Sequence, residues 1–282
     1  MPVGLALGLL AAFAWGLVDV TAAIATRRVG SLRALVGTQL VSIGVLAALA
    51  VARPDLLGPD PSTGVVTGLP LGLLAAACYL AYFTALRMGP LSIVSPVIVA
   101  YGGLGAGAVI ATAGVVLAGL TFETGGRRVP RIVGPGVVAA VLTLVGFAVL
   151  TILMATPIRD HGWLPVVIGS RIGNNAAVLG LLLVATRSGS GRFRPLLEPS
   201  EPWTRAVVAL VVAGGLCDIG AFVAYAIGLQ VAPVWLVGLA SSFGPVLAVA
   251  YGIWRLGERP HATQWAGLGL IAAGVAVLAL VG

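Results

Sequence analysis

Apolar runs of membrane-crossing length follow one another along almost the whole chain, separated by short polar breaks. A helix needs about twenty apolar residues to cross the hydrocarbon of a bilayer. That rule places spans near 4–25, 34–52, 65–86, 133–155, 163–186, 206–229, 233–254 and 262–281, with a further stretch at 91–121. The breaks are a basic turn at 26–33 (TRRVGSLR), a Pro/Gly/Asp loop at 53–64, a tight turn at 87–90 (RMGP), a divider at 122–131 (FETGGRRVPR) and the longest polar segment at 187–203. None of the runs alternates polar and apolar residues as the strands of a membrane barrel do, so helices are expected throughout and strands are not.

The stretch 91–121 is long for one span and short for two, and an internal repeat bears on it. Residues 72–90 align without gaps on 215–233, matching Gly72/Gly215, Leu73/Leu216, Ala81/Ala224, Tyr82/Tyr225, Leu86/Leu229 and Pro90/Pro233. Residues 32–40 align on 164–172 in the same order, matching Leu32/Leu164 and Gly37/Gly169, with Gln39 over Arg171. A two-fold repeat is expected, 1–121 against 122–282. Pro90 lies 24 residues before Gly114, whereas Pro233 lies 41 before Gly274, so the first half is shorter by 17. The stretch therefore reads as two spans without their shared hairpin. Each would be about 22 Å long at 1.5 Å per residue, with Gly102, Gly103, Gly105 and Gly107 at the turn.

Arginine placement supports an even number of crossings there. With Arg171 set aside as intramembrane, an even count puts thirteen arginines on one face and two, Arg53 and Arg159, on the other; a single crossing splits them ten against five. The positive-inside rule favours the sharper asymmetry, with both termini on one side.

Composition confirms the solvent. Hydrophobic residues make up 59% and charged residues 9%, with mean hydropathy +1.10, against roughly 25% charged in soluble domains. Positive charge resides in sixteen arginines, without any lysine, and they sit between apolar runs as orientation signals and not as a nucleic-acid patch. Forty glycines suit close helix packing. Cys78 and Cys217 each lie in an apolar run and read as buried thiols. The N-terminus lacks a basic leader and reads as the first span. No HExxH, GxSxG or phosphate-binding GxxxxGK[ST] pattern occurs, and His161 and His261 lie in loops, so no enzyme, metal or cofactor is expected.

Ionisable residues inside spans are costly and mark function by default. Asp19, Arg171 and Asp218 are such residues; Gln39, Asn174, Asn175, Tyr79, Tyr82 and Tyr225 add hydrogen-bonding capacity. Arg171, Asn174 and Asn175 stand at i, i+3 and i+4, one helix face, which must point into the bundle. Two readings stay open: a cavity for a polar solute, in which Arg171 meets a carboxylate, or an ion pair that holds helices together. Either requires an acidic partner for Arg171, Asp218 first and Asp19 in reserve. Gly257, Glu258 and Arg259 are expected to form a helix-end turn with the charges among headgroups.

Three segments together resemble one family: AWGLVD (14–19), ALRMGPLSIVSPV (85–97) and LGERPHATQWAGLGLIAAGVAVL (256–278). They are similar to EamA-type transporters of the drug/metabolite transporter superfamily. The resemblance implies an all-α membrane protein of two inverted five-helix repeats, ten spans in all, here with the fourth/fifth pair truncated. It implies a multi-pass exporter of the cytoplasmic membrane that moves small, amino-acid-like metabolites by alternating access, with no cofactor. The expected partners are a small solute, the lipid bilayer and a coupling proton, not nucleic acid. The expected solute-binding residues are Arg171, Asn174, Asn175, Asp218, Tyr82, Tyr225, Asp19 and Gln39. The family usually keeps both termini inside, whereas the arginine rule places these outside. The alternative function is a non-transporting scaffold or decayed paralogue.

Overall fold

The computed structural model describes residues 2–99, 120–122, 130–132, 135–188, 191–232, 234–241 and 243–258, together with 262, 265–266, 269–270 and 273. The helices are α1 (Pro2–Val29), α2 (Ser31–Ala52), α3 (Pro61–Met88), α4 (Leu91–Val99), α5 (Pro135–His161), α6 (Trp163–Arg187), the one-turn α7 (Arg194–Leu197), α8 (Arg205–Val231), α9 (Val234–Ser241) and α10 (Gly244–Trp254). Among them α1, α2, α3, α5, α6 and α8 are long and apolar enough to cross a membrane. On α5, Val138, Leu142, Val145, Val149 and Ile152 recur every three or four residues and are all exposed. An apolar stripe facing outward on a helix of membrane-crossing length suits contact with lipid.

Two expectations are corrected. The run 233–254 is not one helix: α9 stops at Ser241 and α10 starts at Gly244. Pro245, in the first turn of α10, has no N–H to continue the ladder and disfavours helical geometry in the residue before it. The chain also contains strand: β1 (Leu120–Phe122) pairs antiparallel with β2 (Pro130–Ile132), Thr121 opposite Arg131. Alternation over lipid-facing lengths says nothing about a three-residue ladder. The turn expected at Gly102–Gly107, the parity of crossings over 91–121 and most of the span at 262–281 lie outside the described residues.

The chain forms two compact units. One contains residues 1–20, 88–144 and 220–282; the other contains 21–87 and 145–219. In the first, α4 packs on α10, and Ala11, Ala221 and Ala224 form a small core with Leu7, Trp15 and Tyr225. Glu258 lies in the turn that follows α10. Its two carboxylate oxygens accept the N–H groups of Leu91 and Ser92, each at 2.8 Å, so it caps the N-terminus of α4, where four N–H groups lack helical partners. Two glycines make this possible. Gly257 takes φ +69° in the turn, and a Cβ at Gly252 would lie 2.6 Å from the Glu258 carboxylate.

In the second unit, α2 lies along α6, and α3 meets α6 through facing small residues. A Cβ at Gly68 or Gly72 on α3 would overlap the carbonyls of Val166 or Ser170; one at Gly169 or Gly173 on α6 would overlap those of Val65 or Leu69. Both pairs are G-x-x-x-G, the spacing that lets helix backbones touch where lipid supplies no hydrophobic drive. The turns before α2 and α6 share one geometry: Gly30 has φ 86°, ψ 155° and Gly162 has φ 84°, ψ 156°. The Gly30 turn packs on Leu196 and Leu197. The Gly162 turn follows His161, whose carbonyl approaches Gly58. Hence α2 and α6 start at opposite ends of the unit. The Gly30 end is basic, with Arg27, Arg28, Arg33, Arg87, Arg187, Arg194 and Arg205 against Glu198 and Glu201; the other carries Arg53, Asp55, Asp60, Arg159 and Asp160. At that second end Asp60 caps α3, accepting the Thr63 N–H at 3.2 Å and the Ser62 hydroxyl at 2.8 Å, with Pro61 at the first helical position.

Candidate functional site

Between Gly169 and Gly173 on α6, Ile172 is exposed, and Arg171 is buried in the interior of the second unit. Its side chain is 7% exposed, as is that of Asp218 on α8, and Arg171 Nη2 lies 2.9 Å from Asp218 Oδ2. The acidic partner demanded by the cost of a buried guanidinium is therefore Asp218. Arg171 Nη1 donates to Gln39 Oε1 from α2. Asn174, one turn along α6, donates to the same oxygen at 2.8 Å. Arginine can only donate, so Gln39 must present its oxygen here, and Asn174 must then present its NH2 group. Asn175 turns to the backbone instead, donating to Arg171 O at 2.8 Å and to Gln39 O at 3.3 Å.

Two residues complete the group. Ser42 Oγ lies 3.1 Å from Asp218 Oδ2 and 3.3 Å from Gly215 O, sharing one proton between them. Tyr79 on α3 lies under the Arg171 guanidinium, its ring centroid 5.0 Å from Cζ, and leans on Phe147 at 5.2 Å and Tyr82 at 6.4 Å. Sequence reasoning missed Ser42, although it sits three residues after Gln39 on the same helix face. Tyr79 was noted only for its hydroxyl; its ring also holds a cation.

Three polar atoms of this group are buried with no partner among the described residues: Gln39 Nε2, Asn174 Oδ1 and Asn175 Oδ1. Gln39 and Asn174 are fully buried. Orphaned polar atoms each cost about 1–3 kcal/mol, so one donor and two acceptors left open beside a buried ion pair form a place where a polar molecule is favoured. Among the described residues no three His, Cys, Asp or Glu side chains come together to hold a metal.

Of the residues expected at the site, Arg171, Asn174, Asn175, Asp218 and Gln39 are joined directly, and Tyr82, buried, stands behind Tyr79. Asp19 and Tyr225 belong to the other unit. There Asp19, 7% exposed, accepts the Ser95 hydroxyl, and Tyr225 packs at 5.5 Å against Trp15, the rings tilted by 50°.

Comparison with known proteins places these features in a lineage. No functionally curated protein matches the chain. In fold, 11 solved chains match it. One, described as "Crystal structure of protein", superposes with a TM-score of 0.62 at 24% identity, over 98% of this chain and 96% of its own; at that identity the likeness establishes fold alone. The sequence profile of the EamA-like transporter family matches residues 2–101 and 134–280, most of the chain. With its membrane-length helices, the chain is a multi-pass membrane protein and belongs to the EamA-like transporter family of the drug/metabolite transporter superfamily.

Proposed function

We propose that the chain is a secondary carrier that moves a small polar solute across the cytoplasmic membrane, and that the Arg171 group binds that solute. The supporting observation is the cluster itself: a buried Arg171–Asp218 pair beside Gln39, Asn174 and Asn175, with one donor and two acceptors unmatched. An arginine takes a carboxylate with two parallel hydrogen bonds, and an open donor with open acceptors suits the ammonium and carboxylate of an amino-acid-like solute. Asp218 holds Arg171 in place and is the group available to carry a coupling proton. Tyr82, behind Tyr79, stands as an aromatic wall of the site.

The architecture we propose is two inverted repeats, 1–121 and 122–282, of five helices each, with the fourth/fifth pair of the first shortened, exchanging access by rocking. The matched turns at Gly30 and Gly162, at opposite ends of one unit, are what an inverted repeat requires. The direction is export, and the carrier is not an enzyme. A flux screen of the purified chain in proteoliposomes, with amino acids and amphipathic metabolites, tests the reading. Movement of at least one carboxylate-bearing solute is expected. If no solute moves, the chain is a scaffold or decayed paralogue, and the Arg171 group serves only to hold helices.

A further inference from the structure

At the basic end of the second unit, the segment between α6 and α8 folds back over the ends of α1, α2 and α3. It leaves a groove of about 710 Å³ lined by Arg87, Arg194, Glu198 and Ser200, within the range of small-ligand sites. An adjoining space of about 280 Å³ shares Arg194, Glu198 and Ser200 and adds Arg33. The arginines are fixed in an unusual way. Arg87 donates to the backbone carbonyl of Glu198, and Arg33 donates to the Leu197 carbonyl at 3.5 Å and to the Ser200 hydroxyl. These acceptors are neutral: they hold each guanidinium in place and leave its charge intact. Each guanidinium carries five N–H donors, so most remain for a ligand. The carboxylate in the groove, Glu198, pairs with Arg194 at 2.7 Å.

The groove also sits at a defined depth. Trp203, half exposed just before α8 begins, is the kind of amphipathic ring that settles at headgroup level. The excess of arginine at this end marks it as the cytoplasmic side, whose leaflet carries anionic lipids.

We propose that this groove binds the phosphate of an anionic phospholipid headgroup, with Arg33 and Arg87 as the fixed donors and Arg194 at the mouth. Glu198 tempers the site by occupying Arg194. The occupant is a lipid and not free phosphate, because the groove opens at headgroup level beside helices that lipid surrounds.

The test uses the purified chain in neutral detergent, with phosphatidylglycerol, phosphatidylcholine or inorganic phosphate added, read by thermal shift and by lipid retained in native mass spectrometry. Phosphatidylglycerol is expected to be retained and to raise Tm, and the other two to do neither. Arg194→Gln, on an exposed side chain, should weaken phosphatidylglycerol binding about fivefold, the worth of one interfacial arginine. Glu198→Gln should strengthen it, a gain that misfolding cannot produce. Arg53→Gln, at the opposite end, should leave it unchanged. Equal retention of phosphatidylcholine, an equal shift with inorganic phosphate, an unchanged or weakened Glu198→Gln, or an equal loss in Arg53→Gln would each overturn the assignment.

Discussion

Arg171 shows how much one buried charge dictates. A guanidinium at membrane depth obliges the fold to supply an anion, which is why Asp218 was readable from sequence as its partner before any distance was known. Gln39 was readable as a polar site candidate in a span, but not as a partner of Arg171. Its double role, accepting from Arg171 and Asn174 on one oxygen, arises where α2 meets α6, and pairing across helices is not written in either helix alone. The pair makes a sharp prediction. Removing one member strands the other, at about 3–5 kcal/mol. Asp218→Leu or Arg171→Met alone should therefore lower denaturant stability in detergent by that order, while the double variant should lose less than the sum. Additive losses would show that the two side chains do not act as a pair.

At the scale of elements, the apolar runs announced where the long helices lie, because about twenty apolar residues have few other stable fates. They did not announce the break before α10. Hydropathy is blind to the missing N–H of Pro245, so 233–254 read as continuous. The Glu258 cap was equally hidden, since its partners at Leu91 and Ser92 are 167 and 166 residues away. Glu258→Ala should speed hydrogen exchange at the Leu91 and Ser92 amides, whereas exchange at the centre of α2 should not change. The facing glycines of α3 and α6 give a second test. Gly72→Leu should lower Tm because its side chain has only the Ser170 carbonyl and Asn174 backbone to enter. Gly44→Ala, with nothing within 4 Å, should be neutral or stabilising by up to about 1 kcal/mol.

Acid acts on the start of α3. Hydrogen bonds, foremost from Thr63 and then from Ser62, hold the Asp60 carboxyl below its usual 3.8. The support it lends is present above that value and is lost as pH falls through the lower folded value. Asp60→Asn should be less sensitive to acid in that window than the parent, as followed by amide exchange at Thr63.

For the whole molecule, the positive-inside rule and the continuity of α1 together predict an orientation. Arg27 and Arg28 close α1 at the basic end, and Pro2 begins it some 42 Å away at 1.5 Å per residue. With the basic end in the cytoplasm, a reporter fused at residue 1 should lie outside; one found inside would reverse the assignment. The most direct measurement of the central claim is solute counterflow in proteoliposomes, comparing the parent with Arg171→Ala and Asp218→Asn at equal folded protein. The account predicts that Arg171→Ala abolishes exchange of a carboxylate-bearing solute, and that Asp218→Asn retains exchange but loses the dependence of net flux on a pH gradient. Unchanged exchange and unchanged pH dependence in both variants would contradict it.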